Sequence, residues 1–234
     1  MQQVHIDNAM LRAYQSWAEG LCAPVFWRKS DGRMTNGTFT FLRTASQVLG
    51  VTNKHVAEGL ENSDRRGWQL GGAQFDPDRL IAQHPTLDLA TFRLSDVFLA
   101  PAGKDAATVP HWPPTPPRLG EPIMLGGYPG MYREANLGNV KFDFAWFAGK
   151  VNVEGDRSIG MVLDIAESVA TSVRRIPANA DLGGCSGGPV FRVVDSGAIE
   201  RLELTAIIYQ YSRTSETMLA HPLNSLTEDG GFLS

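Results

Sequence analysis

Short alternations of apolar and polar residues, not long helical stripes, fill most of this chain. Residues 25–28, 38–43 and 48–52 are runs rich in β-branched and aromatic side chains. The stretches between them, Ser30-Asp31-Gly32 and Asn36-Gly37, read as turns. Residues 68–70, 80–82 and 88–94 continue the series. Strands are predicted again at 122–125, 144–151, 160–164, 169–173, 189–194 and 202–211. The beginning of the chain differs: Met10, Tyr14, Trp17 and Leu21 recur at helical spacing behind a cap at Asp7 or Asn8. That pattern predicts one amphipathic helix packed on a strand-rich body, and a second, short helix is expected at 222–226. Many short strands between turn signals predict an all-β chain, as a barrel or a sandwich.

Composition refines this picture. Residues 110–117 read Pro-His-Trp-Pro-Pro-Thr-Pro-Pro, a stiff extended connector packed along the body. It divides the chain into a helical segment 1–22, a first β unit 23–109, the connector 110–120 and a second β unit 121–234. The 24 glycines and 14 prolines favour turns, and 234 residues suit one domain of two packed barrels. A net charge of −4 with no cluster of Lys or Arg argues against a nucleic-acid partner. No apolar run is long enough to span a membrane, so no membrane partner is expected. Gly126-Gly-Tyr-Pro-Gly130 does not match a phosphate-binding fingerprint. Two cysteines, Cys22 and Cys185, and a start without a basic and then apolar leader predict a reducing compartment, the cytoplasm.

The chemistry is concentrated in Asp181-Leu-Gly-Gly-Cys-Ser-Gly-Gly-Pro-Val190. Four glycines and a proline exclude a regular core helix or strand through this run and let backbone approach other groups closely. Ser186, held in such a frame with backbone N–H groups around it, is a candidate nucleophile. The run resembles the Gly-x-Ser-Gly-Gly-Pro signature of the chymotrypsin/trypsin-like serine peptidases. Thr52-Asn-Lys-His55 is similar to the Thr-x-x-His motif of that family, and Asp88-Leu-Ala to its Asp-Ile/Leu-Ala. The order His55, Asp88, Ser186 is also the family's order. A strand followed by a turn would set His55 at a barrel rim, whereas His5, His84, His111 and His221 lie in a tail or near prolines and read as structural or solvated. An acid entering the apolar run after Asp88 would be costly to bury without a partner.

This resemblance implies two packed antiparallel Greek-key β-barrels with the active site in the cleft between them, plus the N-terminal helix. It implies Ser186 as nucleophile, His55 as base, Asp88 as its orienting acid, and an oxyanion hole from the N–H groups of Gly184 and Ser186. Protein or peptide substrates are expected, with no cofactor and no metal. Ala180, six positions before the nucleophile, would lie at the base of the primary pocket and supplies no negative charge for Lys or Arg. Residues 206–212, with Tyr209 and Tyr211, would line the pocket edge, and Tyr211 would partly fill it, giving a preference for small or medium apolar residues.

Cys185 departs from the family. Secreted members carry Asp before the nucleophile, paired after cleavage with an Ile-Val-Gly-Gly terminus that this chain lacks. Activation without that ion pair is expected, as in bacterial stress-protease and viral relatives, with the N-terminal helix or the loop 126–139 as a gate and a regulatory partner conceivable. Cys185 itself sits one residue early to be the nucleophile. Two other readings compete. One is a peptide-binding pseudoprotease. The other is a serine esterase in which Gly184-Cys-Ser-Gly-Gly188 is a nucleophile elbow served by Asp195 and His221, but that fold needs a helix after the serine.

Overall fold

The computed structural model describes residues 8–29, 31–63, 69–136, 139–163, 177, 180–195 and 200–233. Helix α1 (Asn8–Gly20) leads into strands β1 (Cys22–Arg28), β2 (Met34–Arg43) and β3 (Val48–Thr52). Helix α2 (Lys54–Glu61) follows, then β4 (Gln69–Leu70), β5 (Ala73–Gln74), β6 (Leu80–Gln83), β7 (Ala90–Leu94), the short α3 (Asp96–Leu99) and β8 (Ala107–Thr108). These eight strands form one sheet in the order β5-β4-β1-β2-β3-β7-β6, with β8 on β2. Beyond the connector come β9 (Pro122–Gly127), β10 (Arg133–Asn136), β11 (Asn139–Phe142), β12 (Ala145–Lys150), β13 (Val153–Gly155) and β14 (Ser158–Val162). β15 (Pro189–Asp195), β16 (Glu200–Ser212) and β17 (Thr217–Pro222) complete the chain. The second sheet runs β12-β9-β15-β16-β17-β14-β13, while β10 and β11 form a separate hairpin. Both sheets are curled antiparallel half-barrels, the two-barrel architecture of chymotrypsin.

Three apolar clusters hold this arrangement. Phe39, Phe41, Phe75, Phe92 and Leu60 fill the first barrel, with Phe39, Phe75 and Phe92 in mutual ring contact at 5.1 to 5.4 Å. Leu125, Phe147, Met161, Val190 and Ile208 fill the second. A third cluster lies on the seam, where Leu42, Leu49 and Leu89 meet Tyr128, Phe144, Phe191 and Leu223, and α1 contributes Ala18. Each fully buried large apolar side chain is worth ~1.5–3 kcal/mol, so this seam welds the barrels firmly. Because β2 has the seam on one face and the first core on the other, it is buried almost throughout. Its odd positions, Phe39 and Phe41, enter the first core. Its even positions, Asn36, Thr38 and Thr40, face the other way, as the two-residue period requires.

Several elements differ from the sequence expectation, each for a local reason. Asn36-Gly37 lies inside β2 and is not a turn: Gly37 is needed there because Val56 of α2 occupies the space of a Cβ, 2.8 Å away. His55 lies in the first turn of α2, not on a strand–turn corner. Helix α2 escapes a periodicity reading because eight residues offer few repeats; Val56, Ala57 and Leu60 are its buried side. Residues 222–226 are not helical; a turn there leads to an isolated bridge between Leu226 and Phe232. The loop expected at 126–139 contains the β10–β11 hairpin, and β17 was not anticipated. Trp17 is 43% exposed although its ring contacts Phe191 at 5.1 Å. The strand expected at 169–173 lies outside the described residues. The connector packs on the body as anticipated, with Trp112 against the seam and the Thr115 carbonyl accepting from Thr205.

Candidate active site

Asp88 stands two residues before β7, and α2 begins two residues after β3, so the β3–β7 pairing brings their ends together. The first N–H groups of a helix have no partner within it. Asn53, the N-cap of α2, makes no side-chain cap bond; the Asp88 carboxylate takes that role from outside. The His55 backbone N–H donates to Asp88 Oδ1 at 2.9 Å, and a negative charge at this end also suits the helix dipole. Asn53 Nδ2 in turn donates to the Asp88 carbonyl at 2.6 Å.

The same carboxylate meets the His55 ring, Oδ2 to Nδ1, at 2.6 Å. Burial pushes the Asp88 carboxyl up, but the side-chain and backbone hydrogen bonds from His55 outweigh it and hold the group below its ordinary value. An ionised carboxylate only accepts, so in this contact Nδ1 is the nitrogen that carries a proton. The imidazole is half exposed, at 51%, on the wall of a cleft of about 790 Å³ that Ser186 and Gly184 also line.

The turn that carries Ser186 is built differently. Its shape is fixed by main-chain bonds to both sheets. Thr38 N–H donates to the Ser186 carbonyl and Thr38 Oγ1 to the Gly184 carbonyl, both at 2.8 Å. Thr40 Oγ1 donates to the Gly187 carbonyl at 2.8 Å. Gly187 has φ +90°, and a Cβ there would collide with the Thr38 carbonyl. In a trans peptide the N–H points opposite to the C=O. The Gly183 carbonyl accepts from Gly130 N–H at 2.7 Å, and the Cys185 carbonyl from Gly188 N–H at 2.8 Å. The Gly184 and Ser186 N–H groups therefore turn the other way, and among the described residues neither has a protein acceptor. Ser186 Oγ donates to the Tyr209 carbonyl at 3.4 Å; its hydrogen bond is not to His55.

The model of the trypsin-like peptidase domain matches residues 39–198, more than half of the chain, a span that includes His55, Asp88 and Ser186. The chain belongs to the trypsin-like peptidase domain family. No curated protein matches it in sequence. Among solved structures it is similar to a serine endoprotease from Yersinia pestis, with 17% identity and a TM-score of 0.54, covering 93% of this chain and 64% of that one. This peptidase domain thus spans just under two thirds of the Yersinia endoprotease. It is similar, too, to an active-form protease from M. tuberculosis (17% identity, TM-score 0.49, 92% of this chain and 82% of that one). A thermostable serine protease, AL20, from an extremophilic microorganism gives 15% identity, a TM-score of 0.48, and coverage of 88% and 93%. At such identities the likeness concerns the fold.

On the other side of Ser186 from the large cleft lies a smaller pocket of about 180 Å³. Leu182, Cys185, Ile208, Tyr211 and Met218 wall it, and Asp181 and Arg213 stand at its rim, paired at 3.0 Å. Tyr211 is among the residues that line this pocket, and Ala180 is buried in the second core, next to Asp181 in the chain. The Tyr209 ring faces away and stacks on His221 at 4.0 Å and 10°. His221 is a residue whose place sequence reasoning missed. Its Nδ1 meets the Arg157 carbonyl at 2.8 Å, and the Asp88 N–H approaches its Nε2 at 3.4 Å. Asn36, Thr38 and Thr40 were also missed, though polar residues at alternate positions of an otherwise apolar strand are a readable signal. Serine esterase chemistry through an elbow loses its basis: strand β15 follows the serine, and His221 is committed to Asp88 and Arg157.

Proposed function

We propose that this peptidase domain is a serine endopeptidase that hydrolyses peptide bonds through an acyl-enzyme. The observation that carries the reading is the Asp88 carboxylate 2.6 Å from His55 Nδ1, with the His55 ring on the wall of the cleft that Ser186 also lines. Rotation about the Cα–Cβ bond of Ser186 releases Oγ from the Tyr209 carbonyl toward the cleft. Oγ adds to the substrate carbonyl carbon while His55 Nε2 takes its proton, and Asp88 stabilises the resulting imidazolium. The oxygen's new negative charge falls to the Gly184 and Ser186 N–H groups. His55 then gives the proton to the leaving amine as the C–N bond breaks, and water repeats the sequence to free the acid. Preorganised donors of this kind are each worth about 10²–10³ in rate.

The acyl-side residue occupies the 180 Å³ pocket. Leu182, Ile208 and Met218 give it an apolar wall beside polar groups, and the one carboxylate among its lining residues, Asp181, is matched by Arg213. Small or medium apolar side chains fit, and Lys or Arg finds no net charge to meet. Cleavage of a peptide library after Ala, Val or Leu is expected; efficient cleavage after Arg would overturn this specificity. We further assign residues 23–109 and 121–234 to two structural units joined at 110–120, and the chain to the cytoplasm, a reducing compartment in which Cys22 and Cys185 stay thiols. A fluorescent fusion found outside the cytoplasm would refute the latter.

The decisive experiment is labelling by a fluorophosphonate probe. The chain should label, Ser186→Ala should not, and His55→Ala should label far more slowly. One observation favours a peptide-binding protein without turnover, namely the Ser186 Oγ bond to Tyr209 and not to His55. If the wild-type chain never labels yet binds peptides, that second reading holds.

A further inference from the structure

The oxyanion hole proposed above is made of backbone, and backbone needs something to hold it. The N–H of Gly184 points into the cleft because its peptide's carbonyl, that of Gly183, is held by Gly130 N–H at 2.7 Å. Gly130 opens the turn that follows β9. What fixes that segment comes from the opposite sheet. Asn36, on the seam-facing side of β2, is buried at 9% exposure and donates from Nδ2 to the Tyr128 carbonyl at 2.7 Å. Its Oδ1 accepts from Arg133 at 3.2 Å, so one amide grips the segment on both sides of Gly130. Thr38, two residues on, accepts the Tyr128 N–H at 3.2 Å while donating to the Gly184 carbonyl.

Asn36 also touches the hole sterically. A Cβ on Gly184 would strike Asn36 Nδ2, and one on Gly130 would come within 3.1 Å of Asn36 Oδ1. The amide is therefore wedged between the two glycines whose backbone groups define the hole. A buried amide also has few alternatives, since leaving its groups unpaired is costly. We infer that Asn36 is the positioning residue of the oxyanion hole, a peg on the first sheet that sets the Gly183–Gly184 peptide of the second. This rests on the reading of Ser186 as nucleophile. It gives the first sheet a second duty beside carrying His55 and Asp88: it also orients the donors that receive the negative charge.

The test uses the full chain and its Asn36→Ala and Asn36→Asp variants. Asn36→Asp keeps the shape and the acceptor for Arg133 but removes the donor to Tyr128. Both variants should lose about 10- to 100-fold in kcat with KM within about twofold, below the full loss of one oxyanion donor. Affinity for a peptide aldehyde, whose adduct places an oxyanion in the hole, should fall in parallel with kcat. Affinity for the matching carboxylate product should stay. Thermal melting shows whether each variant is folded, and Arg133→Ala, which leaves the Tyr128 bond intact, should give the same pattern more weakly. Wild-type kcat and aldehyde affinity in both Asn36 variants would overturn the role of Asn36 alone. Equal losses in aldehyde and product affinity would assign Asn36 to general structure and overturn it as well. A wild-type chain that neither labels nor hydrolyses would instead bring down the peptidase reading itself, and this inference with it.

Discussion

The two halves of the site are made by different means. On the first sheet, His55 and Asp88 are side chains bonded to each other at 2.6 Å and to a helix end. On the second, Ser186 rides on a turn whose geometry comes from glycines and from carbonyls taken up by Thr38, Thr40, Gly130 and Gly188. A side-chain pair carries chemistry and contributes little to the fold around it. The glycine frame offers backbone groups only, and a Cβ at Gly187 or Gly188 would collide with the backbone of one sheet or the other. Activity and stability should therefore separate between the halves.

Asp88→Asn is the strongest test of the first half. The amide would present a donor to His55 Nδ1 and favour the wrong tautomer, and kcat should fall about 10⁴-fold. The melting temperature should change little, because the amide oxygen still caps α2. Gly187→Ala tests the second half in the opposite sense. The new methyl would need φ near +90° and the space of the Thr38 carbonyl. Strain and overpacking together predict at least about 3 kcal/mol of lost stability, read as a urea midpoint. If Asp88→Asn melts as badly as Gly187→Ala, the division between chemistry and frame is wrong.

A smaller effect lies where the halves touch behind Asp88. Burial lowers both His221 and His84 below the ordinary imidazole value. His221 faces Asp88, Arg157, His84 and Tyr209, and its contacts use the neutral ring. A depressed histidine stabilises the fold above its unfolded pKa of about 6.5 and loses that contribution as pH falls toward its folded value. Urea midpoints should therefore decline between pH 7.5 and pH 5.5. His221→Gln, which retains an acceptor for the Asp88 N–H, should flatten part of that decline. The Asp88 carboxylate, held low, adds its own loss only below about pH 4, where the unfolded chain begins to take up protons. An unchanged slope in His221→Gln would remove His221 from this account.

The same contrast governs what the sequence made legible. The β-rich class and most strands could be read from alternation, and the three family motifs pointed to His55, Asp88 and Ser186. Those are local signals, each contained in a few residues. The supports are non-local. Asn36-Gly37 reads as a turn until Val56 of a distant helix is known to fill the space beside Gly37. His221 carries no motif, and its place behind Asp88 depends on β17, which itself was not anticipated. Ala180 and Asp181 are neighbours in sequence, yet the first is buried in the second core and the second lines the pocket, a split that depends on the non-local packing of the second sheet.

Cys185 is where the comparison can be sharpened most finely, because it sits inside the glycine frame yet has a side chain of its own. It is 1% exposed and packs in the second core, against Gly127. Burial pushes its thiol above the ordinary value, as it pushes Cys22 up to about 12. A thiol kept protonated and covered is neither a nucleophile nor a target. Iodoacetamide should leave the activity of the native chain untouched. Cys185→Ala should cost about 1 kcal/mol, the scale of one small buried group, with kcat preserved. Burying a charged group at this position would be costly, and the small apolar thiol avoids that cost in a turn held by Thr38, Gly130 and Gly188. Loss of activity on alkylation of the folded protein would mean that this side chain is reachable, and the turn looser than its hydrogen bonds require.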